Sequence, residues 1–212
     1  LERDVRSMIN VRDLMSFQLF LKLCAGQHGQ QLNLNAIGQA CGISQTTATQ
    51  WFSLLEASYI VYRTPPYYQN YKKRLVKRPK VYFYDTAIVC NLLGIDSSEH
   101  LMLHSSRGAI FEGFVFSELM KLAYNSANMP QLYYWRDTLG SEVDCLIEKS
   151  GKLKAIEIKS TMTFSDDLLK GLRRWLEIAK SSNPEANLIY GGDESFEYKG
   201  VRVCSWREID TL

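Results

Sequence analysis

Asp144, Glu157 and Lys159 are the residues of this chain whose types and spacing suit metal-assisted chemistry on a phosphate ester. They lie in residues 132–159, LYYWRDTLGSEVDCLIEKSGKLKAIEIK, which read as three short strands joined by two tight turns. Alternation puts Ile156 and Ile158 on one face of the last strand and Glu157 and Lys159 on the other. Ser150-Gly151 is a two-residue hairpin signal, because Gly takes the positive φ such a turn needs. That turn pairs Lys149 with Lys152, which carries Asp144 opposite Glu157 and Glu142 opposite Lys159. The other face then pairs Cys145 with Ile156 and Val143 with Ile158, an apolar side suited to packing under helices. Two opposed carboxylates repel and call for positive charge nearby. The Lys159–Glu142 pair is one source; a divalent cation, Mg²⁺ or Mn²⁺, between Asp144 and Glu157 is the other. One or two carboxylates, with water and substrate phosphate, are a sufficient protein contribution to a Mg²⁺ site. Lys159 would then orient the attacking water or neutralise charge on a phosphate oxygen. A β-bulge at Asp144 would shift the pairing and weaken the repulsion while leaving the metal site.

An Asp followed about a dozen residues later by Glu-x-Lys on a strand resembles the PD-(D/E)xK nuclease superfamily. Upstream, residues 108–119 (GAIFEGFVFSEL) form a helix in which Glu112 shares a face with Val115, Phe116 and Leu119. A glutamate on an apolar face needs a partner when buried. The superfamily resemblance implies that Glu112 joins Asp144 and Glu157 at the metal; a structural ion pair is the alternative.

The elements that must position these residues follow from the rest of the chain. Its 212 residues suffice for one large domain or two small ones, and no apolar run reaches the length of a membrane span. Five cysteines, odd in number, widely spaced and without Cys-x-x-Cys, point to reduced thiols in a cytoplasmic protein and away from zinc. His100 and His104 have i, i+4 spacing but no evident ligand companion, so solvated loop positions are expected. The chain has no Gly-x-x-x-x-Gly-Lys-Ser/Thr, hence no ATP site of that kind.

Leu14, Phe17, Leu21 and Cys24 recur at helical spacing, ending near His28-Gly29. A second helix, capped by Asn33 or Asn35, runs to Ala40. Gly42 then ends it and Ser44 caps a third, residues 45–57, that buries Ala48, Phe52 and Leu55. This is a helix-turn-helix pattern, in which Gln45, Thr46, Thr49 and Gln50 would face a DNA major groove. Helix-turn-helix units also serve as packing modules, and no Lys or Arg occurs between Lys22 and Arg63 to neutralise phosphates.

Basic charge arrives immediately afterwards. Strands are expected from Tyr59 and from Lys80, and from Arg63 to Lys80 there are seven basic residues and no acidic one. Elsewhere 18 Lys and Arg face 23 Asp and Glu. A β-ribbon after a helix-turn-helix is a wing, and Lys72, Lys73, Arg74, Lys77 and Arg78 interleaved with tyrosines suit nucleic acid, DNA foremost. A solvated loop or a protein-binding surface is the alternative. A helix from Asp85 to Leu93 closes this domain. After the hairpin, Ser165 or Asp166 starts a helix burying Leu168, Leu172, Trp175, Leu176 and Ala179. On it, Lys170, Arg173 and Arg174 are candidates for phosphates or for a solvated face. Late strands at residues 187–190 and 201–204 complete a mixed sheet.

Read end to end, the order is specific: Leu-Glu-Arg-Asp-Val-Arg, the helix-turn-helix and ribbon, Lys80-Val-Tyr-Phe-Tyr-Asp85, residues 108–119, Tyr-Trp-Arg-Asp, Glu-Val-Asp144 and Glu-Ile-Lys-Ser160. It resembles the C-terminal region of a prokaryotic AAA-type ATPase family, a domain of unknown function assigned to the PD-(D/E)xK superfamily. The resemblance implies an α/β (α+β) chain with a winged helix-turn-helix at 1–97 and a restriction-endonuclease-like mixed sheet flanked by helices at 98–212. It also implies an ATPase domain preceding this segment, in line with a start at Leu. No Pro precedes Asp144, where the superfamily's name has one. Two functions are expected from different classes. One is a Mg²⁺-dependent phosphodiesterase acting on DNA, with Asp144, Glu157, Lys159 and Glu112 at its site. The other is a non-catalytic DNA- or protein-binding regulatory module that keeps the nuclease fold. A homo-oligomer is an assembly the sequence allows.

Overall fold

The computed structural model describes residues 14–67, 78–127, 131–137, 140–149, 151–179 and 184–212. Its first core is helical. Helix α1 (Leu14–Gly26) buries Phe17, Phe20, Leu21 and Cys24. Helix α2 (Leu34–Ala40) starts where Asn33 Oδ1 accepts the Ala36 N–H at 3.2 Å. Gly42, at φ +69°, turns the chain into α3 (Gln45–Ala57), capped by Ser44 Oγ accepting from the Thr47 N–H at 3.0 Å. Ala48, Trp51, Phe52 and Leu55 of α3 pack into the α1 face, with Trp51 edge-on to Phe17 and Phe20. The Asn33 and Ser44 caps and the buried Phe17, Leu21, Cys24, Ala48, Phe52 and Leu55 match the sequence reading, whereas Leu14 is half-buried and Phe20 and Trp51 are additional core residues.

Strands β1 (Val61–Thr64) and β2 (Lys80–Phe83) form an antiparallel ribbon, followed by α4 (Thr86–Leu93), capped by Asp85. Helix α5 (Ser98–Leu103) occupies part of the segment expected as loop; Ser97 caps it. His100 and His104 belong to α5 and its C-cap, and His100 is exposed beside Asp96. The long helix α6 (Arg107–Asn125) then crosses beneath a mixed sheet.

That sheet contains β3 (Leu132–Arg136), β4 (Glu142–Lys149), β5 (Lys152–Lys159), β6 (Glu185–Tyr190), β7 (Phe196–Tyr198) and β8 (Val201–Ser205). The strand order is β3-β4-β5-β6-β8-β7, with β5, β6 and β8 parallel and the other neighbours antiparallel. One face packs Cys145, Ile156, Ile158 and Ile189 against Val115, Phe116 and Leu119 of α6 and Ile209 of a C-terminal 3₁₀ turn. On the other face Leu146, Ala155, Leu188 and Val203 meet Leu172 and Trp175 of α7 (Lys170–Ile178). A 3₁₀ turn, Asp166–Leu169, leads into α7, and Ser165 makes no side-chain cap there. The fold is thus mixed α+β.

The ribbon packs against both the large sheet and α6. Pro65 and Tyr67 exchange backbone hydrogen bonds with Tyr134 of β3. Tyr82 of β2 stacks on Phe116 of α6, ring centroids 4.5 Å apart. His28 ties the same strand to α6: its Nδ1 accepts the Phe83 N–H at 3.1 Å, and its ring lies against Gly113, where any Cβ would collide with it. Burial lowers this imidazole to about 4, so it is neutral at pH 7.

Candidate functional site

The hairpin turns where expected: Lys149 pairs with Lys152, and the ladder continues in that register to Cys145↔Ile156. There it stops. On the other side of β4 the register shifts by one between Tyr133↔Leu146 and Trp135↔Val143, so Asp144 and Cys145 together face Tyr134. Two residues against one is a β-bulge. It turns Val143 to the α7 side, beside Leu146, while Cys145 remains on the α6 side. The expected opposition of Val143 with Ile158, and of Asp144 with Glu157, is therefore absent from the ladder. Instead Asp144, 7% exposed, accepts the Ile158 N–H with Oδ2 at 2.8 Å and Lys159 Nζ at 3.2 Å.

Glu157 is 5% exposed on the α7 side of β5. Its Oε1 meets Lys159 Nζ at 2.6 Å, and its Oε2 is buried without a hydrogen-bond partner. Helix α7 comes close here through Gly171, whose hydrogen faces the Glu142 carbonyl; a Cβ would collide with that oxygen. Burial and the neighbouring Asp144 push the Glu157 carboxyl up to about 8, against the pull of Lys159. Lys159 is held above its ordinary range: burial favours its neutral form, but Asp144 and Glu157 outweigh it.

Glu112 enters from α6. Its Oε1 accepts from Lys80 Nζ at 2.9 Å and from the Tyr82 hydroxyl. Burial raises this carboxyl to about 7; Lys80 opposes the rise and Asp144 adds to it. Lys80 Nζ also contacts Glu142 Oε1 and lies 5.4 Å from the centre of the Tyr134 ring. Glu142 is therefore paired with Lys80, and with Arg136 at 3.5 Å, and not with Lys159 as expected from the hairpin alone. Four carboxylates, Glu112, Glu142, Asp144 and Glu157, share two largely buried ammonium groups, with Arg136 at the edge. Among the described residues no three His, Cys, Asp or Glu side chains meet as a ready-made metal cluster.

Lys80 is the site residue that sequence reasoning missed. Its place in the basic stretch suggested a solvated ribbon, yet it is 4% exposed. The available signal was the alternation of β2, which puts Lys80 and Tyr82 on one face. Arg63, at the other end of that stretch, pairs with Glu56 at 3.0 Å and stacks on Phe52. Arg78 is exposed at the edge of the ribbon's described segment, while Lys72, Lys73, Arg74 and Lys77 lie outside the described residues. Gln45, Thr46, Thr49 and Gln50 are all exposed on α3, on the side away from Ala48 and Phe52. On α7, Arg173 forms a two-pronged pair with Asp166, Arg174 pairs with Asp137 and Lys170 with Asp167, so these three have carboxylate partners. A cavity of about 390 Å³ lined by Arg107, Phe111, Phe114, Ser160, Met162 and Trp206 includes none of the four carboxylates.

Two family models match the chain in succession. Residues 1–99 match a domain of unknown function, DUF8612, and residues 107–209 match a second, DUF4143, which contains Glu112, Asp144, Glu157 and Lys159. More particularly, the chain is 34% identical over 164 residues to an uncharacterized protein of Mycobacterium bovis and, to the same extent, to one of Mycobacterium tuberculosis. The matched region is 77% of this chain but 36% of each relative, so the chain spans about a third of their length. No described helix is long and apolar enough to cross a membrane.

Proposed function

We propose that this chain is the DNA-binding, divalent-cation-dependent phosphodiesterase region of an ATPase-linked protein. In this reading α2, α3 and the β1–β2 ribbon are a winged helix, and the large sheet with α6 and α7 is a PD-(D/E)xK nuclease-like domain. The observation that carries the proposal is the unpartnered Oε2 of Glu157, buried beside Asp144 in a cluster with more carboxylates than ammonium groups. A buried carboxylate oxygen without a donor is costly, and a hard cation with oxygen ligands answers both the missing partner and the surplus charge. The donors present fit Mg²⁺ or Mn²⁺ as a two-carboxylate site: Asp144 and Glu157 would hold it, and Glu112 would join as a third carboxylate only by giving up Lys80 and Tyr82. Bound there, the ion would polarise a phosphoryl oxygen and make an attacking water more acidic.

The chain's own residues account for the rest. Asp144 is fixed by the Ile158 N–H, so its second oxygen is held at a set orientation. Lys159, with 35% of its side chain exposed, is anchored by two carboxylates and reachable from solvent, a place from which to meet a phosphate oxygen or orient a water. Exposed Gln45, Thr46, Thr49 and Gln50 would meet base edges, and Lys72, Lys73, Arg74, Lys77 and Arg78 would meet phosphates. The test is cleavage of supercoiled and linear DNA with Mn²⁺, comparing wild type with Glu157→Gln and Lys159→Met. Cleavage by the wild type alone supports the reading.

A second reading, a non-catalytic regulatory module coupled to an ATPase, draws on a specific observation: Lys80 and Lys159 already pair with Glu112, Asp144 and Glu157. It predicts DNA binding without Mn²⁺ binding or cleavage.

A further inference from the structure

Lys80 reaches the carboxylate cluster from outside the unit that supplies every carboxylate. It is the first residue of β2, its side chain is 5% exposed, and it bridges Glu112 of α6 and Glu142 of β4. Tyr82, two residues along the same strand, donates to the same Glu112 oxygen. One short element of the N-terminal half therefore places an ammonium and a hydroxyl on a glutamate of the other half. Lys159 differs: 35% of its side chain is exposed, so it can leave its carboxylates for solvent by a rotamer change. Lys80 has no such exit.

We propose that Lys80 is the resident counter-ion of this cluster. Its ammonium, between Glu112 and Glu142, occupies the Glu112 carboxylate that a divalent cation on Asp144 and Glu157 would draw in as a third ligand. A cation engaging Glu112 must compete with it, so Lys80 weakens metal binding and sets the concentration at which the site fills. The proposal rests on the metal reading given above. The sign follows from charge: removing one positive group favours a divalent cation twice as strongly as it favours a proton at the same place. A proton taken up in compensation therefore does not cancel the gain.

The experiment is calorimetric Mn²⁺ titration of the chain of residues 1–212, wild type against Lys80→Met, at neutral pH and low salt. Lys80→Met is expected to bind Mn²⁺ at least tenfold more tightly, and Mn²⁺ is expected to raise its melting temperature more than that of the wild type. Equal or weaker Mn²⁺ binding by folded Lys80→Met, with the wild type binding normally, overturns the role of Lys80 and leaves the metal site standing. If no protein of the series binds Mn²⁺ at millimolar concentrations, the metal reading fails and this proposal fails with it. Should Lys80→Met not fold, Glu142→Gln and Lys80→Met/Glu142→Gln carry the comparison. The double variant loses one charge of each sign and is expected to bind more tightly than Glu142→Gln alone; equal or weaker binding overturns the proposal.

Discussion

The backbone N–H of Ile158 donates to the Asp144 carboxylate at 2.8 Å, taking a side-chain acceptor where the ladder of β4 and β5 has just ended at Cys145↔Ile156. The bulge at Asp144 and Cys145 makes this substitution, because it draws β4 out of register and lets a side chain stand in for a backbone carbonyl. Asp144 is thus a structural acceptor as well as a proposed metal ligand, and variants separate the two roles. Asp144→Ala leaves the buried Ile158 N–H unpartnered and should cost about 1–3 kcal/mol. Asp144→Asn keeps an acceptor and should recover most of that loss, as chemical denaturation of the two variants will show.

Glu157 predicts a pH dependence. Its carboxyl lies at about 8 in the folded protein against 4.5 ordinarily, so the folded state binds more protons than the unfolded state between those values. Stability therefore falls as pH rises through that window. Glu112, at about 7, pulls the same way over the lower part of it. In chelator, the wild type should be less stable at pH 8 than at pH 5. Glu157→Gln should flatten the upper part of the curve and be the more stable protein at pH 8. Urea unfolding across that range checks both statements.

Gly171 predicts a steric requirement beside the same site. A methyl group there meets the Glu142 carbonyl and must push α7 away from the bulged strand. Gly171→Ala should cost about 1–3 kcal/mol despite the better helix propensity of Ala, and should weaken Mn²⁺ binding. An unchanged unfolding midpoint would show that α7 tolerates the shift.

The sequence is most legible where local chemistry decides. Asn33, Ser44 and Asp85 cap the helices that follow them, because each cap is a contact within two or three residues. The Lys149↔Lys152 hairpin register is legible for the same reason. The bulge is visible in the sequence only as a contingency: Asp144-Cys145 carries no glycine, and the extra residue is forced by pairing with Tyr134 across the sheet. Lys80 is hidden differently. Its partners are 32 and 62 positions away, and its neighbours in the chain are basic, so composition points to solvent while alternation with Tyr82 points inward. The three-residue β7 and six-residue α5 are too short to leave a period.

The internal pairing of Lys80 and Arg63 narrows the nucleic-acid prediction. The substitutions that matter are Lys72, Lys73, Arg74, Lys77 and Arg78 to Gln. They should weaken DNA binding and flatten its salt dependence, by about one unit of slope for each phosphate no longer neutralised. A titration in which the slope is unchanged would assign this stretch to a protein partner instead.

The most direct test of the proposed metal site is a thermal melt of wild type and Asp144→Asn, each in chelator and in Mn²⁺. Saturation near 100 times Kd stabilises a folded protein by about 2.7 kcal/mol, or roughly 5–11 °C for a chain of this size. The account predicts a rise of that order for the wild type and little or none for Asp144→Asn. Identical melting temperatures with and without Mn²⁺ in both proteins would contradict it.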